Sequence, residues 1–185
     1  NLYVGHLLLF HPAYLKIKQM IENNSIGEIE YIYSNRLNLG TIRKDENVFW
    51  SFAPHDIALI QFFLESFPSS ISSDGSAIIR KNIHDSTITC LKYDNGVMAH
   101  IFVSWLHPYK EHKFIIIGSK GMISFEDSLK DKPLIYYDKK VDWIDGETIP
   151  HQGLSHNVSY DNTSALENEL IYFLDTLDKY PITKI

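Results

Sequence analysis

The stretch that decides the fold is TITCLKYDNGVMAHIFVSW, residues 87–105. Within it, two apolar runs flank Asp94-Asn95-Gly96, and Asn-Gly between such runs is the strongest short-range signal of a β-hairpin. A second turn, Gly118-Ser119-Lys120-Gly121, separates the apolar runs 113–118 and 122–127 in the same way. Because hairpins join antiparallel neighbours, this part of the chain predicts an antiparallel sheet.

Helical signals stand on both sides of these hairpins. The segment Ala13–Asn23 is apolar along one side, and Ser164-x-x-Glu167 forms a capping box before a final amphipathic segment. Between them, Pro54 has a fixed φ and no N–H, which suits the first turn of a helix that continues to Leu64. Helices segregated from successive hairpins predict an α+β fold, an open, mostly antiparallel β-sheet with helices on one face.

Three other segments also carry predictions. The apolar run from Leu2 to Phe10 predicts a strand that ends at His11-Pro12, and Glu28–Leu39 predicts a second, longer strand. The segment Asp145–Asn162 is mostly polar, which predicts an irregular and partly mobile connection.

Some of the predicted strands are apolar on both faces. Ile101-Phe102-Val103 and Phe114-Ile115-Ile116-Ile117 are the clearest examples. A single layer of helices covers only one face of a sheet, and monomeric proteins rarely leave a long apolar face in water. We therefore expect a homo-oligomer, most simply a two-fold dimer, that packs through the open sheet face.

Composition narrows the possible classes of protein. The chain has 185 residues, 44% of them apolar, which suffices for one domain with one sizeable core. Its net charge of −6 argues against nucleic acid as a partner. No apolar run reaches the roughly 18 residues of a membrane span, and the single Cys90 fits a reduced, cytoplasmic setting. Because the chain opens at Asn1 and not at Met, we expect a fragment of a longer polypeptide.

A histidine stands out in the stretch NVFWSFAPHD, residues 47–56. His55 would lie in the first turn of the predicted helix, where the positive end of the helix dipole disfavours imidazolium and keeps a base available near neutral pH. The alternative is a polar helix cap. His55-Asp56 and His84-Asp85 lack the spacing of metal ligands, so we expect no metal site.

Seven motifs, in their order along the chain, point to one family. They are Val4-Gly5-His6 through His11-Pro12, Gly27-Glu28-Ile29, Asn35-Arg36-Leu37-Asn38, Trp50-Ser51-Phe52-Ala53-Pro54-His55-Asp56, Ser104-Trp105-Leu106-His107-Pro108, Gly118-Ser119-Lys120-Gly121-Met122 and Glu167-Asn168-Glu169-Leu170 to Pro181. In this order they resemble the C-terminal α/β domain of the Gfo/Idh/MocA oxidoreductases, and the resemblance covers essentially the whole chain. The tryptophan and proline versions look most like the branch that oxidises the 3-hydroxyl of UDP-N-acetylhexosamines or their uronates.

The resemblance implies that substrate and cofactor are bound by two different domains. Residues 1–185 would be the substrate-binding and oligomerisation domain of an NAD(P)-dependent sugar or sugar-nucleotide dehydrogenase, with the N-terminal Rossmann domain absent from this chain. In family members that domain carries a Gly-rich dinucleotide fingerprint and a Glu-Lys-Pro motif whose lysine is catalytic. Neither motif occurs here, so we expect this chain alone to bind no NAD or NADP and to be inactive, and its cofactor contacts stay unknown.

The resemblance also assigns a catalytic residue. His55 falls at the catalytic histidine position of the family, and oxidation of an alcohol requires a group that takes the hydroxyl proton. The aspartate often found four residues earlier is Ser51 here, which we place among the substrate-binding residues. That replacement leaves His55 as the main local acid/base.

Four other residues are substrate-binding candidates. By resemblance, Arg36 and Asn38 border the substrate cleft, where a guanidinium can grip a diphosphate or a uronate; a surface salt bridge is the alternative for Arg36. Trp105 and His107 lie where a strand passes into a loop and could stack on or pair with a nucleotide. Core packing is the alternative for Trp105.

A function of a different class is also open at this stage. A non-catalytic module could bind a carbohydrate or a protein partner through the same sheet. A Rossmann fingerprint and a Glu-Lys-Pro motif in the upstream reading frame would favour the enzyme, and their absence would favour the module.

Overall fold

The computed structural model describes residues 3–177. The helices in this range are α1 (Pro12–Glu22), α2 (Val48–Leu64) and α3 (Ala165–Thr176), preceded by a short 3-10 helix at Leu7–Phe10. The strands are β1 (Ile29–Leu37), β2 (Ser70–Ser76), β3 (Ser86–Lys92), β4 (Met98–Ser104), β5 (Glu111–Gly118), β6 (Met122–Glu126), β7 (Leu134–Ile144) and β8 (Glu147–Asn157). Within this range, no helix has both the length and the apolar character needed to cross a bilayer.

All eight strands form one sheet in the order β2-β3-β4-β1-β5-β6-β7-β8. Only the central pair, β1 and β4, is parallel, and every other pairing within the described sheet is antiparallel. Both predicted hairpins are present, because β3 pairs with β4 and β5 pairs with β6. The predicted α+β fold is confirmed.

The two faces of the sheet differ in burial. On β1, Ile32, Ser34 and Arg36 alternate with the half-buried Tyr31, Tyr33 and Asn35. The buried set lies under α2, which packs on β4, on β1 and on the 3-10 helix. The half-buried set lies on the opposite face, which we call the open face.

The core lies between the helices and the sheet. Its largest fully buried side chains come from both layers: Trp105, Phe114, Phe125, Leu9, Ile17, Ile26, Ile32, Leu59, Ile60, Ile101, Ile116 and Ile123. Tyr14 of α1 closes one side, with its ring edge-on to Phe114 and Phe125.

Two element predictions hold with small shifts. Helix α1 matches the predicted Ala13–Asn23 helix, and β1 matches the predicted Glu28–Leu39 strand. The predicted N-cap at Ser164 is also confirmed, because Ser164 Oγ accepts the N–H of Glu167 at 3.4 Å. The end of the motif that begins at Glu167, Pro181, lies outside the described residues.

The strand predicted for Leu2 to Phe10 is wrong, and its first residue lies outside the described range. Leu7–Phe10 is a 3-10 turn, with Leu9 and Phe10 buried. Residues 7–10, LLLF, are all apolar and do not alternate with polar residues, so their pattern indicates burial and not the two-residue period of a strand.

The predicted start of the second helix is also wrong. Helix α2 begins at Val48, and Asn47 caps it by accepting the N–H of Trp50 at 3.0 Å. Pro54 therefore lies inside the helix. The bond that it cannot make would end at the carbonyl of Trp50, on an exposed part of the helix where water can replace it.

The irregular connection predicted for Asp145–Asn162 is wrong over most of its length. Residues 147–157 form β8, which pairs antiparallel with β7 across Asp145-Gly146. Both turn residues have positive φ, 53° and 84°, as a tight hairpin turn requires. The pattern was hidden because β8 is an edge strand with little buried apolar surface.

Candidate active site

The candidate site lies where the two parallel strands end. Leu37 of β1 pairs with Ser104 of β4, and the N–H of Asn38 donates to the Ser104 carbonyl at 3.0 Å. The segments that follow β1 and β4 therefore leave the sheet side by side, which brings Asn38 and His107 to the same edge.

The start of α2 is tied to this same edge. The N–H of Val48 donates to the carbonyl of His84 at 2.9 Å, and the N–H of Trp105 donates to the carbonyl of Asp85 at 2.9 Å. Asp85 in turn orders its own loop, because its buried carboxylate accepts the N–H groups of Ile78 and Ile79 at 2.6 and 2.8 Å.

His55 is exposed on α2, one helical turn after the half-buried Ser51. The pKa of His55 is lowered, first by partial desolvation of the ring and then by the positive charge of Arg36, with His6 acting in the same direction and Asp56 opposing. The imidazole is therefore a free base at neutral pH. The predicted role of the helix dipole is wrong, because His55 lies well inside α2 and not in its first turn.

Beneath His55 lies a buried ion pair. Arg36 grips Asp56 with both arms of its guanidinium: Nε lies 3.0 Å from Oδ2, and Nη2 lies 3.0 Å from Oδ1. Ser34 Oγ adds a third bond to Asp56 Oδ1 at 2.7 Å. Asp56 is 0% exposed and Arg36 is 7% exposed.

This pairing changes the interpretation of Arg36. Burial alone would lower its pKa, but the charge and hydrogen bonds of Asp56 raise that pKa above its ordinary value, so the guanidinium is always charged. The fork that was expected to grip a substrate anion is occupied by Asp56. The alternative considered for Arg36 is confirmed as a salt bridge, but the pair is buried and does not lie at the surface.

A second histidine touches the pair from the neighbouring strand. Arg36 Nη1 lies 3.4 Å from His112 Nδ1 on β5. Burial, followed by the charges of Arg36 and Lys110, lowers the pKa of His112 to about 4. His112 is therefore neutral at neutral pH, and its Nδ1 is free to accept from the guanidinium.

The remaining predicted residues divide into accessible and buried. Asn38, Ser51 and His107 are half-buried, and His107 Nδ1 contacts the carbonyl of Tyr109 at 2.9 Å. Trp105 is 1% exposed and belongs to the core, as the packing alternative held. Stacking of Trp105 on a nucleotide does not fit this arrangement.

Sequence reasoning considered Asp56 only as a possible metal ligand, and it passed over Ser34 and His112. A signal for the first two was available. Ser34 and Arg36 are two residues apart on a predicted strand and therefore share one face, and an aspartate on the inner side of a helix needs a cationic partner. The contact with His112 depends on which strand lies beside β1, which the sequence pattern does not reveal. Between residues 3 and 177, no cluster of three or more His, Cys, Asp or Glu side chains is arranged to hold a metal ion.

A family model described as the GFO/IDH/MocA C-terminal domain matches residues 14–124, more than half of the chain. The chain belongs to this family. The Rhizobium meliloti inositol 2-dehydrogenase is 24% identical over 190 residues, covering 97% of this chain and 55% of that protein. The chain spans about half the length of the curated relatives it matches.

Solved structures share the fold of this GFO/IDH/MocA domain. UDP-N-acetylglucosamine 3-dehydrogenase GnnA from Acidithiobacillus ferrooxidans superposes with a TM-score of 0.78 at 20% identity, covering 99% of this chain and 56% of that one. An inositol dehydrogenase homologue from Azotobacter vinelandii, solved with NADH and myo-inositol, gives a TM-score of 0.70 at 15% identity, covering 95% and 53%.

Proposed function

We propose that this domain is the substrate-binding and oligomerisation half of an NAD(P)-dependent dehydrogenase that oxidises a ring hydroxyl of a sugar nucleotide. The observation that carries the proposal is His55, an exposed imidazole held in its neutral form above a buried ion pair. A neutral imidazole that solvent and substrate can reach has the protonation state that a general base needs.

The chemistry assigns one task to this chain. When an alcohol carbon loses a hydride, its hydroxyl must lose a proton, and His55 Nε2 or Nδ1 takes that proton. Bound NAD or NADP would supply the hydride acceptor. The chain has no Gly-rich phosphate cradle, so a separate N-terminal domain would hold most of the cofactor.

Substrate positioning falls to the accessible polar residues. Asn38 and His107 follow the paired ends of β1 and β4, and Ser51 lies one helical turn from His55. Amide, imidazole and hydroxyl groups suit the hydroxyls of a sugar ring, since each can donate or accept. Arg36 acts on His55 through the protein and not on the substrate.

Two named relatives support a cyclic polyhydroxylated substrate. One is a dehydrogenase of UDP-N-acetylglucosamine and another is a dehydrogenase of inositol. We favour the sugar nucleotide because of the motifs around Trp50 and Pro54. The single free Cys90 fits our placement of the protein in the cytoplasm.

A panel assay of the full-length protein tests the proposal. UDP-sugars and inositols are offered with NAD or NADP, and we expect turnover with at least one UDP-sugar. His55→Asn should cut turnover about 100-fold, the usual effect of losing a positioned base, with little change in substrate affinity. Lys18→Gln, which removes an ion pair at the far end of α2, is the control and should keep full turnover. Absence of turnover across the panel would favour the non-catalytic binding module.

The open face supports self-association as part of the same proposal. Its side chains include Tyr31, Tyr33, Ile88, Met98, Phe102, Ile115, Ile117 and Met122, all half-buried or exposed. A second copy presenting the same surface would cover it through a two-fold interface. We expect light scattering to give a dimer or a larger closed assembly, and a monomer at high micromolar concentration would contradict this.

A further inference from the structure

We propose that Arg36 and Asp56 are positioning residues for His55, because their buried ion pair fixes the helical turn that carries His55 and supplies the charges that its imidazole faces. The proposal rests on the proposed role of His55 as the base. It gives Arg36 a function at the site although the guanidinium is out of reach of a substrate.

The geometry makes the pair an anchor for α2. Asp56 has three bonds from β1, two from Arg36 and one from Ser34, and it is fully buried. Successive helix residues are rotated by about 100°, so fixing Asp56 inward fixes its neighbour His55 outward. A bidentate guanidinium–carboxylate pair defines orientation as well as distance, which a single lysine contact does not.

The charged and titratable groups around His55 come from three elements. Arg36 faces it from β1, Asp56 from α2 itself, and His6 from the segment before the 3-10 helix. The pair in turn meets Tyr14 from α1, His112 from β5 and Asp127 after β6. The charges of Arg36 and Asp56 act on His55 with opposite signs.

Opposite signs give the proposal a distinctive signature. Removing the positive charge with Arg36→Gln should raise the pKa of His55, because the guanidinium disfavours imidazolium. Removing the negative charge with Asp56→Asn should lower it, because the carboxylate favours imidazolium. A purely structural role would loosen the same turn in both variants and shift both values in one direction.

The experiment is an NMR titration of the His55 ring protons in this chain, assigned with a His55→Gln variant. The pKa of His55 should rise in Arg36→Gln, fall in Asp56→Asn and lie between these values in the double variant. Lys18→Gln is the matched control, since it breaks an ion pair to Glu65 at the other end of α2, and should leave the value unchanged. Shifts in the same direction, no shift, or an equal shift in the control would overturn the proposal.

Folding failure of one variant leaves the test intact. If Arg36→Gln does not fold, the pKa of His55 in the double variant Arg36→Gln/Asp56→Asn should still lie above its pKa in Asp56→Asn alone. The reverse order would overturn the proposal. Arg36→Lys restores the charge without the fork. In the full-length enzyme it should lower turnover about tenfold or more through misplacement of the base, with KM nearly unchanged; a normal turnover would contradict the positioning role.

The titration and the panel assay fail separately. The titration needs no catalysis, so an inactive full-length protein would reject the proposed function and not the coupling among Arg36, Asp56 and His55. An active enzyme with same-direction shifts would reject the coupling and not the function.

Discussion

The two faces of the sheet differ in how far their side chains are buried and paired. On the helix face of β4, Ile101 is 1% exposed. The buried charges beneath α2, those of Arg36 and Asp56, pair with each other. On the open face Phe102 is only half-buried, and Met98 is 37% exposed. The helices cover the helix face within the described residues, whereas the open face keeps apolar side chains accessible, which is why we propose that a second copy covers it.

The largest expected effect comes from breaking the pair on the helix face. Asp56→Ala leaves the Arg36 charge buried without a partner, which should cost about 3–5 kcal/mol of the free energy of unfolding. Urea denaturation measures this loss. Glu65→Gln, which weakens the pair of this exposed carboxylate with Lys18, should cost far less, because a carboxylate in water gains little from pairing. Equal losses in the two variants would show that the buried pair is not a special anchor.

Substitutions at two neighbouring residues of β4 allow the two faces to be compared directly. Ile101→Ala opens a cavity in the core and should cost about 2–5 kcal/mol. Phe102→Glu places a charge on the open face, so it should dissociate the assembly in light scattering while changing the unfolding free energy of the protomer much less. An assembly that survives Phe102→Glu would mean that the open face is not the contact surface.

Local signals account for what the sequence predicted. The turns at Asn95-Gly96 and Gly118–Gly121 are encoded by a few adjacent residues, and the hairpins followed from them. The Asp145-Gly146 turn carries the same kind of signal, but β8, which follows it, lacks the alternation of apolar and polar residues that would have supported a hairpin. The start of α2 predicted from Pro54 was wrong because the cap at Asn47 outweighs the preference of proline for the first turn of a helix.

The candidate site was predictable in part for the same reason. His55 and Asp56 are adjacent, and the motif around them marked the turn of α2. The bond from Asp56 to Arg36 spans 20 residues and depends on how α2 crosses β1. The parallel pairing of β1 with β4 is a long-range event with no local signal, so the neighbours of Arg36 could not be assigned.

A smaller, pH-dependent effect sharpens the account of the helix face. Burial, as the largest cause, lowers the pKa of His112 to about 4 in the folded protein. A histidine in an unfolded chain has a pKa of about 6.5. Between these values the unfolded state binds more protons, so the stability contributed by neutral His112 is fully present above the unfolded pKa and is lost as the pH falls towards 4. The slope from this group is at most about 1.4 kcal/mol per pH unit.

Urea midpoints between pH 7.5 and 5 give the measurement. His112→Gln keeps an acceptor for Arg36 and removes the titration, so its stability should decline less steeply than that of the wild type. Parallel declines would place the proton uptake on other groups.

The most direct test of the central claim is the pH profile of kcat/KM in the full-length enzyme, wild type against His55→Asn. In the wild type, activity should fall on the acid side as an imidazole with a lowered pKa becomes protonated. We predict that this acid limb disappears in His55→Asn, leaving a low and flatter profile. An acid limb that survives unchanged in the mutant would show that His55 is not the base.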